Sequence, residues 1–454
     1  MRVRYRWPVP LAIMVLALTA TAAAQPPHGE LADAEKVYGL SYFWKEVSYN
    51  FAFFDQVSDL DWDSAYQTFI PRVMATNSVY EYYRELQLFC ALLRDGHTSI
   101  NFPRFVSDSL TYPRLLLAEI DHRMYVRNVD SGLAESIPIG SEIIEIDGIP
   151  SIEYVRDSVM PYWSASAEHV LWDMSVRTAL KGWKGTDVTI GYRTPAGDRA
   201  SRRLTRDREG IRWYRALPDR PLMRFEWFDD GVAYLEFTSF NDTAIVGQFE
   251  AVLPELYRAD GVIIDIRRNP GGNTSNGTDI LEHFATDTLW GSTWRTPEHI
   301  AAFKAWGRHH YQQGTESDLV PYYTGDAWHE GEVWYIVPDS GEKIGAPVVV
   351  LFGRKTGSAA EDFLIFADKL EQFTYVGEPT NGSTGQPLFI EGLPGGGTAR
   401  ICSKRDTYPD GRDFVGYGVQ PDVAVARTVT SLIDGSDPIL DEGIEVLQAR
   451  MGSR

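Results

Sequence analysis

An α/β protein with a helical N-terminal part is the fold class this sequence predicts, on three observations. Apolar residues recur at helical spacing over the first hundred residues, the pattern then shortens to strand-length segments between about Pro113 and Arg206, and beyond about Leu217 apolar strand runs alternate with helical stretches. At 454 residues the chain is too long for one ordinary core and suggests two or three domains. Its 44% hydrophobic and 13% aromatic content, with 13 tryptophans, supplies packed cores and argues against disorder.

The chain opens with Arg2, Arg4 and Arg6, an apolar stretch from Leu11 to Leu18, and the small residues Ala22-Ala23-Ala24. This pattern is that of a cleavable secretory signal over residues 1–24, its apolar part shorter than the roughly 20 residues of a membrane span. The mature chain is therefore expected to be exported, periplasmic or extracellular, without stable membrane insertion. Net charge is −20, or −23 without the three arginines of that segment, and no basic stripe is present, which excludes nucleic acid as a partner. Export permits a disulfide between the distant Cys90 and Cys402 without requiring one, and Cys90 reads as a small core residue. No metal or cofactor is expected: His309 and His310 are adjacent rather than at ligand spacing, and neither His-Glu-x-x-His nor paired cysteines occur.

Residues 25–108 read as a helical domain, with Leu40, Phe43, Trp44, Val47 and Phe51 on one helix face and Val79, Tyr82, Tyr83, Leu86, Phe89, Cys90 and Leu93 on another. Ser78 and Glu81 form a capping-box pattern at the start of the second helix; Asp95-Gly96 would end it, placing His97 just beyond a helix C-terminus. Residues 109–210 read as a β-rich module, with strands at Met124 to Val129 and Glu142 to Ile146, a turn at Asp147-Gly148, and a helical insertion from Tyr154 to Leu180. The stretch from Gly140 to Gly148 resembles a strand and turn of PDZ domains. Residues 211–454 alternate: strand Val232 to Phe237, helix near Ala244 to Leu256, strand Val262 to Ile266, helix near Asp279 to Ala285 and strand Val348 to Phe352, with an aromatic-rich insertion over 289–334 that reads as a lid or surface addition.

Two glycine-bearing junctions carry chemistry. The apolar run Ala346 to Phe352 leads into Lys355-Thr356-Gly357-Ser358-Ala359-Ala360-Glu361, and Ala360, Phe363, Leu364, Ala367 and Leu370 leave it at helical spacing. Ser358 thus falls in a first helical turn, where free N–H groups and the positive dipole end favour developing negative charge. Ser358 with Glu361 equally fits a capping box that only starts a helix, so from this heptapeptide both readings stand. In Asp265 to Asn273, the adjacent Gly271 and Gly272 permit the close backbone approach an oxyanion hole requires, although loop glycines are common.

Taken in order, Leu93 to Thr98, the PDZ-like stretch, Tyr234 to Phe240, Asp265 to Gly272, Thr356 to Glu361, Val376 to Gly382 and Gly418 to Asp422 resemble the C-terminal processing and tricorn-type serine peptidases. The resemblance implies a crotonase-like ββα layer for the last domain and an exported serine peptidase that hydrolyses polypeptides through an acyl-enzyme. Ser358 would be the nucleophile, and the amides of Ala359 and of Gly271 or Gly272 would hold the oxyanion. The family divides over the base, some members using a lysine in a glycine-rich segment and others a histidine. Here Gly382-Ser383-Thr384-Gly385 stands where that lysine would fall, which leaves His97, while Lys355 and Lys369 read as solvated charges. Tricorn-like members carry a Ser-His-Ser-Glu set, but Gly96 precedes His97 and no glutamate sits just before Gly418. Of the acids in that segment, Asp410 belongs to a Pro-Asp-Gly turn and Asp413 is the candidate to orient the base. The interphotoreceptor retinoid-binding proteins share the architecture, so a non-catalytic binder of an apolar ligand or peptide is the alternative, with residues 289–334 lining its pocket.

Overall fold

The computed structural model describes residues 29–228 and 231–452, so the signal segment expected over 1–24 lies outside the described residues. Three helices come first: α1 Asp33–Asn50, α2 Trp62–Met74 and α3 Val79–Ala91. Ser78 Oγ accepts from the Glu81 N–H at 3.2 Å while Glu81 accepts from the Asn77 N–H at 2.7 Å, so the capping pair starts α3. Their shared core is aromatic: Trp62 stacks on Phe89 at 4.1 Å between ring centroids, and Phe43 meets Phe89 edge-on at 6.1 Å. Phe89 is fully buried, so Phe89→Ala is expected to cost about 3–5 kcal/mol of stability, read by denaturant unfolding.

The end of α3 differs from expectation. The helix stops at Ala91, Leu92 and Leu93 make only turn hydrogen bonds, and Arg94 turns left-handed at φ 51°. His97 therefore stands in a loop several residues past the helix, and the help expected from a helix C-terminus is lost because that effect fades within the last turn. The chain then enters the short strand β1, Ser99–Asn101.

A second unit is an antiparallel sheet of β2 Leu115–Ile120, β3 Arg123–Val129, β4 Glu142–Ile146, β5 Asp187–Arg193 and β6 Arg199–Thr205, paired in that order. After β4 the expected turn is tight, with Asp147 and Gly148 both at positive φ (48° and 82°), and Ile149–Pro150 pairs back on the strand. Helix α4, Glu168–Thr178, covers the sheet through Val176. The helical insertion expected from Tyr154 to Leu180 is interrupted: a π turn over Val155–Val159 and a 3₁₀ turn over Met160–Tyr162, which contains Pro161, precede a non-helical stretch before α4.

The remainder runs β7 Met223–Phe228, β8 Val232–Phe237, α5 Ala244–Glu250, β9 Gly261–Asp265, α6 Thr274–Leu281, β10 Val348–Phe352, α7 Ala359–Ala367, β11 Phe373–Gly377, β12 Pro387–Ile390, β13 Thr398–Cys402, β14 Val423–Ala424 and α8 Pro438–Met451. Six strands form the main sheet in the order β7-β8-β9-β10-β11-β14, parallel except for β7. β8, β9 and β10 are buried along their whole length, as parallel strands covered on both faces must be. Val348 and Val350 pack with Phe363 and Leu364 of α7, while Val349 and Leu351 pack with Leu447 of α8. The helix expected near Asp279 to Ala285 begins earlier, because the Asn273 side chain caps it by accepting from the Ser275 N–H at 3.1 Å.

Residues 289–334 form ordered structure, including strand Thr293–Pro297, helix Ala301–Gln313 and strand Trp328–Glu330. Trp290, Trp306, Tyr311 and Trp334 are exposed, and Thr293–Pro297 pairs with Arg405–Thr407. Cys90 and Cys402 are separate buried thiols. What positions the site is the small sheet β1-β13-β12: Ser99 pairs with Arg400, which ties the His97 loop of the helical unit to the segment that follows β11.

Candidate active site

Between β10 and α7 the chain turns sharply, and Ser358 takes φ 54° and ψ −128° at the helix N-cap. A non-glycine residue there is strained by about 1–3 kcal/mol. The serine makes no side-chain cap hydrogen bond. Instead the Glu361 carboxylate accepts from the Ser358 N–H at 3.0 Å, and the Glu361 N–H donates to the Ser358 carbonyl at 2.6 Å. The helix is thus started without the hydroxyl. Because glycine adopts this backbone freely, Ser358→Gly is expected to raise stability by about 1 kcal/mol net while removing the hydroxyl, a gain visible in denaturant midpoints.

Glu361 is fully buried and joins two loops. Besides the Ser358 N–H it accepts from Thr380 Oγ1 at 2.5 Å, from the Gly382 N–H at 2.7 Å and from the Ser383 N–H at 3.4 Å. Burial pushes its carboxyl up to about 8, against these four bonds, which favour the ionised form. One oxygen, Oε2, takes both the Ser358 and the Ser383 amides, so the two serines are held around a single atom.

Ser383 in turn reaches the histidine: its Oγ lies 2.5 Å from His97 Nδ1. The His97 loop is fixed from the second unit, where Ser164 Oγ accepts from the Asp95 N–H at 3.0 Å and Ser166 Oγ from the Gly96 N–H at 2.9 Å. Arg400 donates to the Gly96 carbonyl at 3.1 Å from the other side. Gly96 is needed for this approach, since a Cβ there would stand 2.7 Å from Ser383 Oγ. Gly96→Ala is therefore expected to push Ser383 off the ring and to lower turnover in a protein that still folds; steady-state kinetics with a thermal melt would read both.

Burial, then the Arg400 and Lys404 charges, push the His97 ring down to about 3. The ring is neutral at ordinary pH. Between about 6.5 and 3 the unfolded chain binds a proton that the native ring refuses, so this group costs stability as pH falls through that window. Among the described residues no hydrogen bond joins the His97 ring to Ser358 Oγ; the two are linked from Ser358 through Glu361 to Ser383 and His97.

The glycine turn after β9 packs on the serine. Gly271, at φ 103°, has no room for a side chain: a Cβ would lie 2.7 Å from Ser358 Cβ and 2.6 Å from the Gly357 carbonyl oxygen. Its N–H is already donated to Asn269 Oδ1 at 2.9 Å. The N–H groups of Gly272 and Ala359 have no acceptor among the described residues. Of these two amides, Ala359 follows Ser358 in the chain, and Gly272 follows Gly271, which packs on it.

Asp413 does not reach the ring. It is exposed, accepts from Arg405 at 3.4 Å, and its carbonyl accepts from the Tyr417 hydroxyl, because the Arg405 strand draws it outward; Ser383 takes the place expected for it. Asp410 closes its own turn, accepting from the Arg412 N–H at 3.2 Å. Lys369 is exposed and pairs with Asp368 at 3.1 Å. Lys355 is half-buried rather than solvated, and burial followed by the Arg177 charge pushes it down to about 7. No group of metal-ligating side chains is present among the described residues. Two residues escaped the sequence reading, Ser383 and Glu361. The signals were present, a serine where a lysine stands in other members of the family it resembles and an acid three residues past Ser358, but each also had an ordinary loop or cap explanation.

Residues 231–425 match the model of peptidase family S41. The carboxyl-terminal-processing protease of Synechocystis sp. is 26% identical over 212 residues, which is 46% of this chain and 41% of that protein, so the chain spans about two fifths of the curated relative's length. Among solved structures, mature CPAF complexed with lactacystin superposes with a TM-score of 0.71 at 14% identity, covering 93% of this chain and 99% of that one. Mature CPAF alone gives 0.71 at 15% identity, covering 91% and 96%. At such identities these two likenesses speak to the fold. The S41 match takes in most of the main sheet and both glycine-bearing junctions, and over that region the chain is similar to a carboxyl-terminal-processing protease.

Proposed function

We propose that the chain is an exported serine peptidase that cleaves polypeptides through an acyl-enzyme on Ser358, with His97 as base. The observation that carries this reading is the chain of contacts from the strained Ser358 through Glu361 and Ser383 to the His97 ring. Ser383 Oγ accepts the Nδ1 proton, which leaves Nε2 as the basic nitrogen. That nitrogen takes the Ser358 proton as Oγ attacks the scissile carbonyl, and later delivers it to the leaving amine. The Gly272 and Ala359 amides receive the oxyanion, each such donor worth about 10²–10³ in turnover. Water then repeats the sequence on the acyl-enzyme. Domain limits at residues 24, 108 and 210, a PDZ-like identity for the β2–β6 sheet and a crotonase-like ββα identity for the main sheet belong to the same reading. Trp290, Trp306, Tyr311 and Trp334 are exposed rather than gathered into an apolar wall, which favours the peptidase over the binder.

Incubating the purified protein with a fluorophosphonate probe and mapping the adduct by peptide mass tests this directly. A stoichiometric adduct on Ser358, with cleavage of an unfolded polypeptide, is expected; labelling elsewhere, or none, overturns it. The low basicity of His97 adds a pH signature. The labelling rate is expected to stay level from pH 7 to 5, whereas an ordinary histidine of pKa about 6.5 would lose roughly 25-fold.

A further inference from the structure

A second cavity, of about 510 Å³, lies between the helical unit and the second unit. Its wall is aromatic, with Tyr80, Phe102, Tyr154, Tyr162 and Trp163, and Tyr80 stacks on Phe102 at 5.4 Å. Three cations line it, Arg84, Lys181 and Arg400, and no aspartate or glutamate does. Among the described residues none of the three has a carboxylate within ion-pair distance: Arg84 lies 3.1 Å over the Tyr162 ring and donates to Gln87 at 3.2 Å, and Arg400 donates to Ser99 and to the Gly96 carbonyl. Asp95 lies within electrostatic range of Arg400 but accepts from Thr98 and Ser166. Burial holds Arg84 below its ordinary value.

Cations left without counter-charges in a partly desolvated, aromatic-walled space favour an anion with a flat apolar body. The volume is that of a cavity for one small organic molecule or a few residues of a peptide. We propose that this cavity binds an aromatic carboxylate, its ring among Tyr80, Tyr162 and Trp163 and its carboxylate on Arg84 and Lys181. The carboxylate chemistry is common to a free organic acid and to the end of a peptide. Arg400, which bonds the carbonyl next to His97, puts this site beside the catalytic loop, yet occupancy requires no cleavage.

Calorimetric titration of the full-length Ser358→Ala protein tests the site independently of peptidase activity. The probes are N-acetylphenylalanine, its amide, and a tripeptide ending in phenylalanine with a free or an amidated terminus. The acids are expected to bind at least about tenfold more tightly than the matching amides, and more weakly in 0.5 M salt. Stronger binding of the peptide acid points to a chain end, and of the acetylated amino acid to a free organic acid. Arg84→Gln and Lys181→Gln are each expected to weaken acid binding about tenfold at unchanged melting temperature. Lys181 is exposed, so its variant carries the test if Arg84→Gln fails to fold. Equal binding of acid and amide, no detectable binding of either acid, or unchanged affinity in Lys181→Gln overturns the proposal.

Discussion

Replacing Ser358 by alanine is expected to lower kcat/KM for polypeptide cleavage by about 10⁴–10⁶-fold, the range in which loss of a serine nucleophile leaves only binding and oxyanion amides. Stability should hardly change. The serine gives no side-chain hydrogen bond to the helix cap, and alanine inherits the same strained φ of 54°. Loss of activity with an unchanged unfolding midpoint would therefore separate chemistry from fold. An unfolding free energy that drops by several kcal/mol would mean that the hydroxyl has a structural part that the contacts do not contain.

His97→Ala is expected to cost about 10²–10⁴-fold, the usual worth of a positioned proton-transfer group. Ser383→Ala should fall in the same direction by a smaller factor, about tenfold to a hundredfold, because it leaves the ring in place without its Nδ1 partner. The two losses should not add, since both act through one proton transfer. Ser383 acting only on the loop, rather than on the ring, would instead give additive losses in a double-variant cycle. KM should move little in either variant if the residues act on the transition state alone.

Much of the fold could be read from local pattern, because local physics decides it. The unbroken apolar runs of β9 and β10 follow from burial on both faces, and the Ser78–Glu81 pair starts α3 where its spacing says. The end of α3 was less readable: Leu92 and Leu93 continue the apolar pattern, yet the chain leaves the helix at Ala91. The interruption before α4 comes from irregular turns that a helical period does not register.

The site divides the same way. Ser358 and the two glycines are marked by junctions of strand and helix, which are local. The partner of His97 is 286 positions away, and the β1–β13 pairing, with Arg400 donating to the Gly96 carbonyl, brings the two segments together. The sequence points to Asp413 because a base needs an orienting group and an acid is the usual one. In the proposed mechanism Ser383, which touches the His97 ring, takes that role, and Gly96 makes the space for it. Glu361 shows the limit most clearly: the spacing to Ser358 is identical for a helix cap and for a clamp between two loops, and only the position of the 380–383 segment distinguishes them.

In the proposed mechanism His97, and not a lysine, activates Ser358. Lys355 is the alternative to exclude, being half-buried next to the nucleophile loop and pushed down to about 7. Second-order rates of fluorophosphonate labelling in His97→Ala and Lys355→Met measure this at the serine itself, free of substrate binding and product release. A fall of about 10²-fold or more in His97→Ala, with Lys355→Met within about threefold of the parent, is the expected result. The reverse pattern, with labelling lost in Lys355→Met and retained in His97→Ala, would contradict it.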